Sequence, residues 1–156
     1  MSSQWPPLQL EEWITQFRFY TPIQVRFSDT DMIGHINNVS YFSYFEYGRL
    51  AYFKELNSLT SLMNPDGKEG TIVTASLECQ YLQQAHFDDE LLLGIRTSRI
   101  GKSSLDIEYA LTLPQRKTIA AIGRGTIVHI DPTIGKGKPF SEDVRNAIRT
   151  YELIEL

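Results

Sequence analysis

The chain has 156 residues, of which 42% are hydrophobic, 22% charged and 12% aromatic, and its formal net charge at pH 7 is −4. This composition excludes a disordered chain and predicts one domain over residues 1–156, while the acidic balance argues against nonspecific nucleic-acid binding. The sequence lacks a signal peptide and any apolar run long enough to cross a membrane, so we predict a cytoplasmic protein that does not use a membrane.

The first elements predicted along the chain are a strand and a long helix. Residues 1–15 carry few structural signals and are predicted to form a loosely held arm. A strand is predicted over 17–27, where apolar residues share one parity. From Asn38 to Asn57 there is no proline and no alternation, and apolar residues occupy nearly every face. This pattern predicts a buried central helix with Asn37 or Asn38 as its cap.

Four further segments have the alternating pattern of half-buried strands. They cover 73–81, 90–100, 105–113 and 118–130, and short turns separate them. Short connections predict antiparallel hairpins, and Gly123 and Gly125 predict a bulge or a close backbone approach. A last helix is predicted from Ser141 to about Glu152. The order predicts an α+β fold in which an antiparallel five-stranded sheet wraps around the central helix.

The loop between the first strand and the central helix concentrates polar side chains. Asp29, Asp31, His35, Asn37 and Asn38 lie within ten residues, immediately before a helix start. A helix start offers unpaired backbone N–H groups and a partial positive charge, which can stabilise an oxyanion. A carboxylate beside such a group suits acyl transfer. Spacing alone leaves Asp31 open to a second interpretation, because aspartate often closes a turn, and Asp29 is interpreted as structural.

The same stretch resembles the 4-hydroxybenzoyl-CoA thioesterase family. The residues that carry the resemblance are Asp29-Thr30-Asp31, Gly34-His35-Ile36-Asn37-Asn38, Tyr41, Tyr44-Phe45-Glu46 and Arg49. The resemblance implies the hot-dog fold, a homodimer or homotetramer, and hydrolysis of an acyl-CoA to a free acid and coenzyme A without a metal or cofactor.

The resemblance also implies roles for individual residues. Asp31 corresponds to the catalytic acid, as nucleophile or general base, and the backbone N–H of Asn38 to the group that polarises the thioester carbonyl. His35 matches a histidine that orients the acid or the acyl group. The substrate-binding positions implied are Asn37, Tyr41, Lys102, Ser103 and Ser104.

Several alternatives accompany this interpretation. An acyl-carrier-protein thioesterase and a hot-dog protein that binds acyl-CoA without cleaving it both remain open. Glu46 and Arg49 are interpreted as an ion pair on the helix, with Glu46 held as a reserve catalytic residue. Cys79 is interpreted as a buried, inert thiol. Coenzyme A phosphates are expected to meet a basic patch, whose predicted members are Arg96, Arg99, Lys102, Arg116, Lys117 and Arg124.

Overall fold

The computed structural model describes residues 4–63 and 70–153. The helices are α1 (Leu10–Trp13), α2 (Ser40–Glu55), α3 (Leu59–Leu62) and α4 (Glu142–Glu152). The strands are β1 (Phe19–Ile23), β2 (Thr71–Tyr81), β3 (Leu91–Ile100), β4 (Ser104–Leu113), β5 (Thr118–Asp131) and the two-residue β6 (Lys136–Gly137).

The strands form one antiparallel sheet in the order β1-β3-β4-β5-β2, with β6 paired to the end of β5. The long helix α2 packs against one face of this sheet, and the main core lies between them. The predicted α+β class, with a sheet around one long helix, is therefore confirmed. The long edge strand β2 pairs along its length with β5, and its first residue, Thr71, also forms an antiparallel bridge with Met63.

Two glycines let α2 lie close to the sheet. A Cβ on Gly123 would come 2.5 Å from the Phe45 ring and 2.9 Å from the Glu78 carbonyl, and a Cβ on Gly48 would come 2.4 Å from Leu93. Phe45 stacks on Tyr109 with ring centroids 4.6 Å apart. The close approach predicted at Gly123 is confirmed.

The prediction that α2 is buried almost all round is wrong on one side. Tyr47 is 55% exposed and Val39, just before the helix, is 64% exposed. The helix covers only one face of the sheet, so its opposite side stays open in a single chain.

The segment between β2 and β3 was predicted to be a hairpin turn, and that prediction is wrong. The two strands are not neighbours, because β2 pairs with β5 and β3 pairs with β1 and β4. Residues 82–90 instead cross the end of the sheet, starting with Leu82 N–H and Gln83 N–H, which both donate to the Ala120 carbonyl. This crossover brings the segment to the polar loop before α2.

The described part of the predicted N-terminal arm packs against the outer face of the sheet. Trp13 is 7% exposed, and its indole N–H donates to Glu108 at 2.8 Å. Its ring lies 4.7 Å from Phe17 and contacts a small second core with Ala110 and Ile122. Residues 10–16 are thus held by a large aromatic side chain rather than loosely attached.

Candidate active site

The polar loop before α2 closes on itself as a small hairpin. Thr30 pairs with Ile36 in an antiparallel bridge, and Asp31 N–H donates to the His35 carbonyl at 2.8 Å. Ile36 N–H donates to the Ala85 carbonyl of the crossover segment, also at 2.8 Å. Because the loop is bonded both to itself and to this neighbour, its side chains are presented from a fixed backbone.

Asp31 occupies the open end of this hairpin. Its Oδ1 accepts from Ile33 N–H at 2.9 Å and from His35 N–H at 3.1 Å, and the residue is exposed. Within the described chain no donor is paired with its second oxygen. The turn-closing interpretation and the catalytic interpretation are therefore compatible, because one oxygen fixes the side chain while the other stays available.

Asp29, two residues earlier, has the opposite environment. It is 7% exposed, and its Oδ2 accepts from Arg26 N–H at 2.9 Å and from the Tyr44 hydroxyl at 3.0 Å. Its backbone carbonyl accepts from Asn37 N–H and from the Ser40 hydroxyl. The geometry matches the structural role expected for Asp29, which ties the loop to the first turn of α2.

The start of α2 is organised by the two asparagines in different ways. The Asn37 side chain accepts from Val39 N–H at 3.3 Å, and the Asn37 backbone carbonyl accepts from Ser40 N–H at 2.9 Å, so Asn37 holds the turn that leads into α2. The prediction of Asn37 or Asn38 as the cap is wrong, because the N-cap residue is Val39, which has no side-chain cap bond. The Asn38 carbonyl accepts from the Tyr81 hydroxyl at 2.8 Å. No acceptor among the described residues is paired with the Asn38 N–H, which leaves an exposed donor at the helix start.

A histidine pair flanks the loop, and sequence analysis missed its second member. His35 and His86 are bridged through their backbones, and their ring centroids are 4.8 Å apart. His86 Nδ1 lies 3.5 Å from an Asp89 oxygen, and the other Asp89 oxygen accepts from Arg116. The acids that follow His86 in the sequence are typical of a solvated turn. The contact between the two histidines becomes visible only when the path of the crossover segment is known.

Aromatic side chains form the wall beside the helix start. Tyr41 is 3% exposed and meets the Tyr81 ring edge-to-face at 4.9 Å. Burial raises the pKa of both phenols to about 12. Burial also raises the pKa of the Cys79 thiol to about 11, so this half-buried cysteine is held as an unreactive thiol, in line with its sequence interpretation.

The predicted coenzyme A turn lies at the other end of the sheet. Gly101 N–H donates to the Ser104 carbonyl, and the turn is bonded to His129 and Phe140 through the Ser103 and Lys102 carbonyls. Strand β3 runs from the crossover segment to this turn over ten residues, Leu91–Ile100, which is roughly 30 Å of strand. One chain therefore does not bring Lys102, Ser103 and Ser104 to Asp31.

The predicted basic patch is largely neutralised. Arg96 pairs with Glu108, Arg99 with Asp106, Arg116 with Asp89 and Arg124 with Glu78. The sheet register explains these pairs, because strand neighbours such as Arg96 and Glu108 lie directly opposite one another. Lys102 and Lys117 are the two members for which the described chain supplies no carboxylate.

The ion pair predicted between Glu46 and Arg49 is also absent from the described part of the chain. Arg49 is 7% exposed and donates to the Tyr109 hydroxyl at 3.2 Å, whereas Glu46 is exposed. Arg49 points into the helix–sheet interface, so the two side chains diverge despite their spacing.

Among the described residues, no group of three or more histidine, cysteine or acidic side chains is placed to hold a metal ion. No helix in residues 4–63 and 70–153 is long and apolar enough to cross a membrane.

Comparisons with known proteins extend beyond this loop. The Bacillus subtilis protein YsmA is 43% identical over 102 residues, covering 65% of this chain and 66% of that protein. The acyl-CoA thioesterase YbgC of Haemophilus influenzae is 27% identical, covering 83% of this chain and 93% of that protein. A Thermus thermophilus thioesterase solved with coenzyme A and zinc has a TM-score of 0.75 at 32% identity, covering 90% and 98% of the two chains.

The family match covers both the loop and most of the sheet. Residues 25–148, from the last residues before the loop to the middle of α4, match the thioesterase-like superfamily. The resemblance seen in the sequence is confirmed at that level, as is the prediction of a thioester hydrolase with the hot-dog fold. The chain belongs to the thioesterase-like superfamily.

Proposed function

We propose that this protein hydrolyses acyl-coenzyme A thioesters, with Asp31 as nucleophile or general base and the Asn38 N–H as the donor to the thioester carbonyl. The observation that carries the proposal is which hydrogen bonds these two groups already make. Among residues 4–63 and 70–153, Asp31 has one oxygen fixed by two N–H groups and a second oxygen without a donor, and the N–H of Asn38 at the helix start has no acceptor. Negative charge that develops on a carbonyl oxygen is stabilised by such a donor.

Coenzyme A is favoured as the carrier of the acyl group by two relatives. YbgC is an acyl-CoA thioesterase, and the Thermus thermophilus thioesterase was solved with coenzyme A. A thioester is an activated acyl group, so a positioned carboxylate with an oxyanion donor suffices for its hydrolysis. His35 lies beside Asp31 through its backbone bond and is proposed to orient the acid or the bound acyl group.

We further propose that the complete site needs two copies of the chain. Edge strand β2 is eleven residues long, and its apolar residues Val73 and Tyr81 are 42% and 45% exposed. A second copy paired antiparallel along β2 would cover this edge. It would also bring its own Lys102 turn to the sheet end that carries Asp31, because that turn lies beside the opposite end of β2.

The test measures thiol release from acyl-CoA thioesters that differ in chain length, branching and aromatic character, and from an acylated carrier protein. Wild-type protein is expected to hydrolyse one or more of the CoA thioesters. Asp31→Asn is expected to lower kcat/KM by roughly 10²–10⁴-fold, the usual contribution of a positioned acid or base.

Asp88→Asn is the matched control, because Asp88 is an exposed acid of the crossover segment without an ion pair in the described chain. It is expected to keep wild-type activity. Full turnover by Asp31→Asn would remove the proposed mechanism. Thiol release from the acylated carrier protein alone would show that this protein, and not acyl-CoA, is the substrate. Binding of acyl-CoA without thiol release would show a binding protein and not an enzyme.

A further inference from the structure

We propose that Tyr81 is a positioning residue for hydrolysis, since its hydroxyl fixes the carbonyl of Asn38 and thereby the residue whose N–H meets the thioester oxygen. The proposal rests on the function proposed above. The hydrogen bond from the Tyr81 hydroxyl to the Asn38 carbonyl is 2.8 Å long and joins the end of β2 to the start of α2. Tyr81 itself is not assigned to touch the reacting atoms.

Tyr81 is anchored at a rigid place in the sheet. It is the last residue of β2 and is paired with Ala121 of β5. The next residue, Leu82, donates its N–H to the Ala120 carbonyl at 2.8 Å. The buried Tyr41 ring contacts the Tyr81 ring edge-to-face, with an interplanar angle of 86°. The phenol therefore reaches Asn38 from a support that is fixed on two sides.

The bond from Tyr81 links Asn38 to the sheet, whereas the neighbours of Asn38 are held by bonds within the loop. Asn37 is held by its N–H on the Asp29 carbonyl at 2.7 Å, and the N–H groups of Val39 and Ser40 are held by Asn37. For Asn38, the contact from Tyr81 is the hydrogen bond that the described chain supplies. The Asn38 N–H shares a peptide plane with the Asn37 carbonyl, which accepts from Ser40 N–H, and the Tyr81 hydroxyl holds the following plane. Loss of the Tyr81 bond would leave that following plane held by the 3.3 Å contact of Val39 N–H alone, so that Asn38 could shift relative to the sheet. A small misplacement of a catalytic group can cost about 10²-fold in rate.

The protonation state of Tyr81 agrees with the donor role. Burial, with a smaller contribution from the nearby Cys79, raises the pKa of Tyr81 to about 12. A phenol with such a pKa keeps its proton over the working range of the enzyme. It can therefore donate to a carbonyl oxygen at every relevant pH, and it is unsuited to act as a base.

Tyr81→Phe tests the proposal, because it deletes the hydroxyl and keeps the ring against Tyr41. The expected result is a fall in kcat of about tenfold with KM within about twofold of wild type. The melting temperature is expected to stay within about 3 °C, since the bond lies at an exposed site. Tyr47→Phe is the control, because Tyr47 is 55% exposed on α2 and has no hydrogen bond in the described chain.

The possible results separate this inference from the proposed function. If wild type releases thiol and Asp31→Asn does not, an unchanged kcat in Tyr81→Phe overturns the inference alone. A rise in KM without a change in kcat would show that the hydroxyl contacts the substrate. A fall in kcat accompanied by a large fall in melting temperature would show that the hydroxyl only stabilises the fold. Either result overturns the inference. A wild type without hydrolysis removes the proposed function first.

Discussion

Asp29→Ala should lower the stability of the protein, whereas Asp31→Asn should leave the stability nearly unchanged. Asp29 is 7% exposed, and its loss leaves the Arg26 N–H and the Tyr44 hydroxyl without their acceptor. Each donor left unpaired at such a site costs about 1–3 kcal/mol, so the two together predict a loss of roughly 2–6 kcal/mol. For a chain of this length 1 kcal/mol corresponds to about 2–4 °C, so the melting temperature should fall by roughly 4–24 °C.

Thermal unfolding followed by circular dichroism measures this effect, with Asp31→Asn as the comparison. Asn keeps the oxygen that accepts from Ile33 and His35, so Asp31→Asn should melt within about 2 °C of wild type. Tyr44→Phe should lose part of the stability lost in Asp29→Ala, and the double variant should lose less than the sum of the two. Equal melting temperatures for Asp29→Ala and wild type would refute the structural role of the buried carboxylate.

Three further outcomes are expected. Asn38→Ala should keep activity, because it keeps the backbone N–H, whereas Asn38→Pro should lose roughly 10²–10³-fold in kcat; equal activities would remove the main-chain donor. Light scattering should give a multiple of the 17.9 kDa chain mass, and Ala75→Lys on the edge strand should increase the monomer fraction; a monomeric, active wild type would contradict the two-copy site. Burial raises the pKa of Glu152, although the Tyr52 hydroxyl and the Thr97 N–H donate to this carboxylate. Because the folded state holds the proton more tightly than the unfolded state, stability falls as pH rises above the ordinary pKa of 4.5. Glu152→Gln should therefore gain stability relative to wild type between pH 4.5 and pH 7.5, measured by melting temperature; a constant difference would contradict the raised pKa.

The sequence predicted the strands and helices better than it predicted which strands pair with one another. Alternation identified the strands because each buries one face, and the loop from Asp29 to Asn38 was located by its residue types. Alternation does not reveal which strands pair, so the crossover after Tyr81 was mistaken for a hairpin. The same gap explains the basic patch: the arginines were visible, but the acids that neutralise them come from neighbouring strands, as Arg124 and Glu78 do.

The contact between His35 and His86 was unpredictable for the same reason. The two residues lie 51 positions apart in the sequence, and the residues around His86 include acids that are typical of an exposed turn. By contrast, the different fates of Asp29 and Asp31 had a local cause. Both follow one strand, but only Asp29 is reached by a side chain of α2, the Tyr44 hydroxyl.

The two asparagines before α2 show how the turn into a helix can be held by hydrogen bonds while one N–H keeps no acceptor in the described chain. A helix start leaves several N–H groups unpaired, and a cap side chain satisfies those that follow it. Asn37 accepts from the N–H groups of Val39 and Ser40, but not from the N–H of the next residue, Asn38. Because Asn38 is exposed, water can satisfy that N–H until a carbonyl oxygen replaces it, so the donor carries no large penalty in the free protein. The Asn38 side chain makes no hydrogen bond in the described chain, so the proposed chemistry depends on the main chain at position 38 and on the two bonds that Asn37 accepts.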